Sequence, residues 1–188
     1  MKFQEQVLTE LGYPLLRATV RKPGRILNMV IREDSQGYQN WKSINKEVEQ
    51  YLSTRCWGME VYFPAADSFE KQVLAFARGD LSVSVHGAHM TNLIWQGQNT
   101  ATIIIEKPGV SDGRYSGIAK QMGIAWYKAG PQSKIRRWDT AVENPFLNVP
   151  VTLNFSEDLK PVLERAIDDL ERSVDRGPPC DVSKARRH

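Results

Sequence analysis

The chain has 188 residues, a hydrophobic fraction of 41%, a charged fraction of 25% and a formal net charge of +3. That composition is ordinary for a soluble globular protein, and a single domain of this length buries roughly 70% of the surface its unfolded form exposes, enough to hold a core without disulfide or metal. The small positive excess argues against nucleic acid, whose binders show a clustered basic face, and suits an anionic small ligand.

Cys56 and Cys180 are far apart in the sequence. Two distant cysteines make neither a disulfide framework nor a metal cluster, and they read as unpaired thiols in a reducing compartment. No apolar run, Ile103-Ile104-Ile105 included, approaches a membrane span. The opening Met1-Lys2-Phe3-Gln4-Glu5-Gln6 lacks the apolar core of a signal peptide. The chain as given is therefore expected in the cytoplasm, or in the Golgi or ER lumen if an N-terminal anchor is missing.

In chain order, residues 3–11 read as a short helix and 13–25 as a connection. The run 26–31 reads as a first strand, and 33–40 as a polar loop. A helix follows from about 43, with Ile44, Val48, Tyr51 and Leu52 on one face. Residues 57–63 form a second strand. Asp67 starts a helix, with Glu70 three residues on as a capping box. In 81–85, Leu81, Val83 and Val85 alternate in a third strand, read as a central one in which a charge at Val83 would be buried unpaired. A turn at 86–92 enters a short helix. The unbroken apolar character of 101–106 predicts a central parallel strand buried on both faces.

Ser111-Asp112 caps a helix to about 122, and 124–127 is a fifth strand. The irregular stretch 129–150 contains Lys134, Arg136 and Arg137, which read as a solvated basic loop. A last helix spans 157–174, and 176–188 reads as a disordered tail. Strands alternating with helices predict one α/β domain over 1–175, with its core in 26–130: a doubly wound, Rossmann-like, mostly parallel sheet of five or six strands. Ligands on such sheets bind at the carboxyl ends of the strands, near the switch in strand order.

The segment Val83-Ser84-Val85-His86-Gly87-Ala88-His89-Met90-Thr91-Asn92 carries the chemistry. It is a strand ending in a turn that enters a helix. Gly87 and Ala88 leave room for a ligand against the backbone, and the helix N-terminus offers N–H groups to an anion such as a diphosphate. His86 would donate to a phosphate or sugar oxygen. On local chemistry alone, a structural turn with a satisfied histidine explains the same residues. His86 and His89 stand three apart, but the only other histidine is His188, so no metal site is expected.

The stretch 31–130 resembles the C-terminal domain of glycosyltransferase family 61, the group of plant xylosyltransferases and of O-linked N-acetylglucosaminyltransferases of the secretory pathway. The collinear matches are Arg32, Asn45, Gln72, Asp80, the His86-Gly87-Ala88…Thr91-Asn92 core, Ile104-Ile105-Glu106, and the later Tyr115, Ala119, Gly123 and Tyr127. His89 stands where the family has a second glycine, and Met90 where it has leucine. A second basic residue of the family falls near Trp41 and Lys42 without a decided match. Family members pair two Rossmann-like halves in a GT-B arrangement, and on this resemblance only the helix at 3–11 is a candidate remnant of the acceptor half.

The resemblance implies a nucleotide-sugar donor, most simply a UDP-sugar. It also implies metal-independent transfer with inversion to a glycan or glycoprotein hydroxyl, with no further cofactor. Arg32, His86, Gly87, Ala88, His89, Asn92 and Glu106 would then form the donor site. Arg32 would fork onto the diphosphate, and Glu106 would accept from ribose hydroxyls. Each also has a plain structural reading: Arg32 as a solvated arginine beside Glu33, Asn92 as a helix-start residue, Glu106 as an ion-pair partner of Lys107. Gln72 reads as a packing residue behind the site. No residue takes the role of general base outright, and Asp34, Glu106 and Asp112 are the acids to consider. The same features would serve a non-catalytic donor-binding module that relies on a partner domain, or on a second copy in a homo-oligomer, for its acceptor half.

Overall fold

The computed structural model describes residues 6, 9–10, 25–34, 37–106, 113–131 and 152–173. The predicted cap at Ser111-Asp112, the Lys134–Arg137 loop, the tail and most of the first 24 residues lie outside them. The apolar runs form five parallel strands: β1 (Arg25–Val30), β2 (Trp57–Tyr62), β3 (Leu81–Val85), β4 (Ala101–Ile105) and β5 (Ala125–Ala129). Their order is β2-β1-β3-β4-β5, the doubly wound α/β architecture expected. β5 runs two residues beyond the predicted end, through Lys128 and Ala129.

Burial follows position in the sheet. Every residue of β3 and β4 is buried, whereas the edge strands β2 and β5 keep exposed positions. The third strand is central, as expected, and Ser82 and Ser84 are as fully enclosed in it as Leu81 and Val83. A central strand is covered on both faces, so its polar side chains need internal partners. Gln96 gathers this polar row: Thr102 donates to its Oε1 at 3.0 Å, and its Nε2 donates to the Ala101 carbonyl at 2.8 Å.

Helices cover both faces. α1 (Trp41–Ser53) and α4 (Lys160–Ser173) pack on one, sharing a core with Leu27, Met29, Val83 and Ile103. α2 (Phe69–Arg78), a 3₁₀ helix (Ala88–Trp95) and α3 (Gly113–Met122) cover the other, around Val30, Phe76, Leu93 and Ile104. The caps shift two boundaries. Ser68, not Asp67, caps α2 by accepting from the Lys71 N–H, while the Asp67 carboxylate turns back to the Phe63 N–H at 3.0 Å. α4 is preceded by a wide π turn (Phe155–Leu159), capped by Asn154 through the Ser156 and Glu157 N–H groups. Arg55 to Asp168 at 2.6 Å and Trp57 Nε1 to Glu171 at 3.0 Å tie α4 to the start of β2.

Cys56, expected as a free thiol, is disulfide-bonded. The chain's other cysteine, Cys180, lies outside the described residues. Spacing along the chain gave no sign of the bond because a disulfide requires only proximity of Cβ atoms in space.

The strand order positions the site. β1 connects to β2 on one side, and β3 continues through β4 to β5 on the other, so the connections part between β1 and β3. A crevice opens at the carboxyl ends of such a pair. Asp80 lies at the opposite edge. Its carboxylate accepts from the Ile26 N–H at 2.9 Å and its own N–H donates to the Ile26 carbonyl, so it clamps the amino ends of β1 and β3.

Candidate functional site

Two segments meet at the switch. β1 and β3 pair with Val30 opposite Ser84, which brings the following Arg32 level with His86. The Arg32 side chain is only 19% exposed. Its guanidinium faces two ways: Nη2 pairs with the Asp34 carboxylate, and Nη1 lies over Gly87.

Gly87 is glycine for want of space. Its φ of 170° is extended backbone open to any residue. A Cβ there would stand 2.8 Å from Nδ1 and Cε1 of His89, and closer still to Arg32 Nη1. The room that the sequence assigned to a ligand is thus taken up by the two side chains that frame the turn. Gly87→Ala is expected to cost about 1–3 kcal/mol, the range for overpacking a fitted site. A melting curve checks this, since a variant as stable as the parent would show that Arg32 and His89 are not held against the turn.

His89 turns inward. Ser84 Oγ lies 2.6 Å from its Nε2 and 2.9 Å from the Val85 carbonyl, so hydroxyl and imidazole share one hydrogen-bonded group. Burial, and then the Arg32 guanidinium, lower its pKa to about 4, and a hydrogen bond to the Val85 carbonyl only partly offsets them. His89 is therefore a neutral imidazole at physiological pH. It supports the turn under Arg32, a role that a glycine could not fill. No role for Ser84 was legible in the sequence, because a strand serine does not show which side chain it will meet.

The 3₁₀ helix begins directly after Gly87. The Gly87 carbonyl accepts from the Met90 N–H at 3.0 Å, leaving the N–H groups of Ala88 and His89 without partners inside the helix. Ala88 is exposed at this end. Beside it, the His86 ring stands edge-on to Tyr115 of α3, with centroids 5.1 Å apart. Arg32, His86, Gly87, Ala88 and His89 thus form one cluster, a guanidinium beside a helix start at the exposed Ala88, the components of an anion site.

The remaining two predicted residues are committed elsewhere. Asn92 is buried, and its amide donates to Gln72 Oε1 at 3.0 Å. Gln72 in turn donates to the Pro64 and Asp67 carbonyls, both at 3.1 Å, so the pair joins the 3₁₀ helix to the loop before α2. Glu106 follows β4 one strand over from His86 and is ion-paired with Lys128 of β5 at 2.7 Å. Lys107, its expected partner, lies outside the described residues.

Arg32 also borders a pocket of about 330 Å³ between β1 and α1, with Glu33, Asp34, Gln39 and Trp41 around it and Tyr38 at its base. Of these residues, the sequence had pointed to Arg32 and Asp34 for a role in the site, and to Trp41 only as the place of an undecided match. Polar loop residues carry no periodic signal that would bring them together.

Among the described residues, no group of three or more His, Cys, Asp or Glu is arranged to hold a metal ion, and no helix is long and apolar enough to cross a membrane. No family model matches the chain, and no curated protein matches it.

Proposed function

We propose that the chain binds a nucleotide sugar through its diphosphate at the β1–β3 switch and serves as the donor-binding domain of an inverting, metal-independent glycosyltransferase. The supporting observation is the placement of the Arg32 guanidinium over the turn that opens the 3₁₀ helix. A forked cation beside the first N–H groups of a helix suits phosphate oxygens. The likeness to family 61 adds the UDP-sugar donor and the glycan or glycoprotein acceptor.

A second reading, a donor-binding module without transferase activity of its own, draws on the acids. Asp34 is paired with Arg32 and Glu106 with Lys128, so neither is poised as a general base, and Asp112 lies outside the described residues. The disulfide at Cys56 favours the lumenal compartment over a reducing one.

The test is a thermal-shift panel of nucleoside diphosphates and nucleotide sugars, with and without divalent metal. A bound ligand at a hundredfold excess over its Kd should add about 2.7 kcal/mol of apparent stability. Arg32→Ala should weaken that binding by about 1–3 kcal/mol, as for loss of a hydrogen bond to a charged group. A panel with no shift would end the donor reading. Transfer of the sugar by this chain alone would end the module reading.

A further inference from the structure

The pocket beside Arg32 differs in chemistry from the turn on its other side. Glu33 and Asp34 set two carboxylates beside the Arg32 guanidinium, so an anion entering the pocket itself would meet two like charges. A neutral polyhydroxyl group would not. The carboxylates accept hydrogen bonds, and the Gln39 amide both donates and accepts, which matches neighbouring hydroxyls. Trp41 adds a broad apolar surface at the first residue of α1. Its indole is held by Phe63, edge-on with centroids 5.6 Å apart, and by the Lys42 ammonium 5.4 Å from the ring centroid.

At about 330 Å³ the pocket is at the small end of ligand sites, with room for one monosaccharide but not a whole nucleotide sugar. It adjoins the anion cluster through a single residue. Arg32 presents Nη1 to the Gly87 turn and Nη2 to Asp34 on the pocket side.

We infer that this pocket seats the sugar ring of the donor, with Trp41 against its apolar face and Glu33, Asp34 and Gln39 receiving its hydroxyls, while Arg32 divides sugar from diphosphate. The inference rests on the diphosphate reading above and adds to it the element that selects the sugar. A nucleobase stacked on Trp41 is the competing occupant, and it makes a different prediction.

Calorimetry on the full chain compares UDP with UDP-glucose, UDP-xylose and UDP-N-acetylglucosamine, for the parent and for Trp41→Ala. The parent should bind at least one UDP-sugar about tenfold more tightly than UDP, the worth of one or two hydrogen bonds. Trp41→Ala should lose that increment and bind the sugar conjugate and UDP alike, with UDP affinity kept within about twofold. Gln39→Ala, an exposed position, should shrink the increment too, and it serves as the test if Trp41→Ala fails to fold. Equal weakening of UDP and UDP-sugar by Trp41→Ala would assign the pocket to the base and overturn the inference. So would an unchanged increment, or a parent that binds every UDP-sugar no better than UDP. In those cases the diphosphate reading survives, because UDP still binds. If UDP does not bind at all, that reading falls and the sugar pocket with it.

Discussion

Val83→Asp should leave the chain without a cooperative fold. Val83 is fully buried in the middle strand of the sheet, level with Met29 of β1 on one side and Ile103 of β4 on the other. Its side chain lies in the core shared with α1 and α4. A carboxylate there has no cation or donor within that apolar layer, and an unpaired buried charge costs several kcal/mol even after relaxation. Domains of this size have only about 5–15 kcal/mol of stability in total. Val61→Asp is the matched control. Val61 is on edge strand β2 and is 40% exposed, so the same substitution should be mild there. Circular dichroism melts of both variants make the comparison. A Val83→Asp variant with a sharp transition near the parent's would mean that β3 is not the centre of the sheet.

The second large effect is linked to protons. The pKa of His89 is about 4 in the fold, against 6.5 for an unperturbed imidazole, because it is buried and faces the Arg32 guanidinium. Between those values the unfolded chain takes up a proton that the folded chain refuses. Stability from this residue is therefore complete above about pH 6.5 and is lost progressively as the pH falls towards 4. Allowing for the partial exposure of the ring, the loss should be roughly 2 kcal/mol. Urea denaturation at a series of pH values measures it directly. His89→Gln retains a donor for Ser84 but does not titrate, so it should flatten the profile across that window. A parent and variant with parallel profiles would show that His89 does not sit beneath Arg32 as described.

Much of the architecture was legible because burial leaves a pattern in composition. The largely apolar run of β4, the helical spacing of Ile44, Val48 and Leu52 in α1, and the stripe of Leu159, Val162, Leu163, Ala166, Ile167 and Leu170 along the last helix each announced an element that the fold contains. What the pattern left open was the fate of the polar residues within it: Ser82 and Ser84 of β3 are enclosed and bonded internally. Boundaries moved where a cap depends on backbone angles: Ser68 took the role given to Asp67, and Asn154 caps a π turn, so that α4 itself begins at Lys160 rather than at 157. Asn40 shows the same limit. It precedes α1 without capping it, because its amide instead grips both backbone groups of Leu153, 113 residues away.

The sequence by itself determined the α/β class, the parallel sheet and the strand ends on which Arg32 and the His86-Gly87-Ala88 turn must lie, since local periodicity and turn chemistry act over a few residues. Only the tertiary structure decided which strands are neighbours. Strand order arises from long-range packing, and it alone brought Arg32 onto the Gly87 turn while sending Asp80 to the far edge. It also sorted residues of like chemistry into unlike roles. His89 became a buried neutral support, Asn92 a tie to Gln72, and Glu106 a partner of Lys128. A side chain's part in a site depends on what surrounds it within a few ångströms, and residues from distant positions in the chain supply those surroundings.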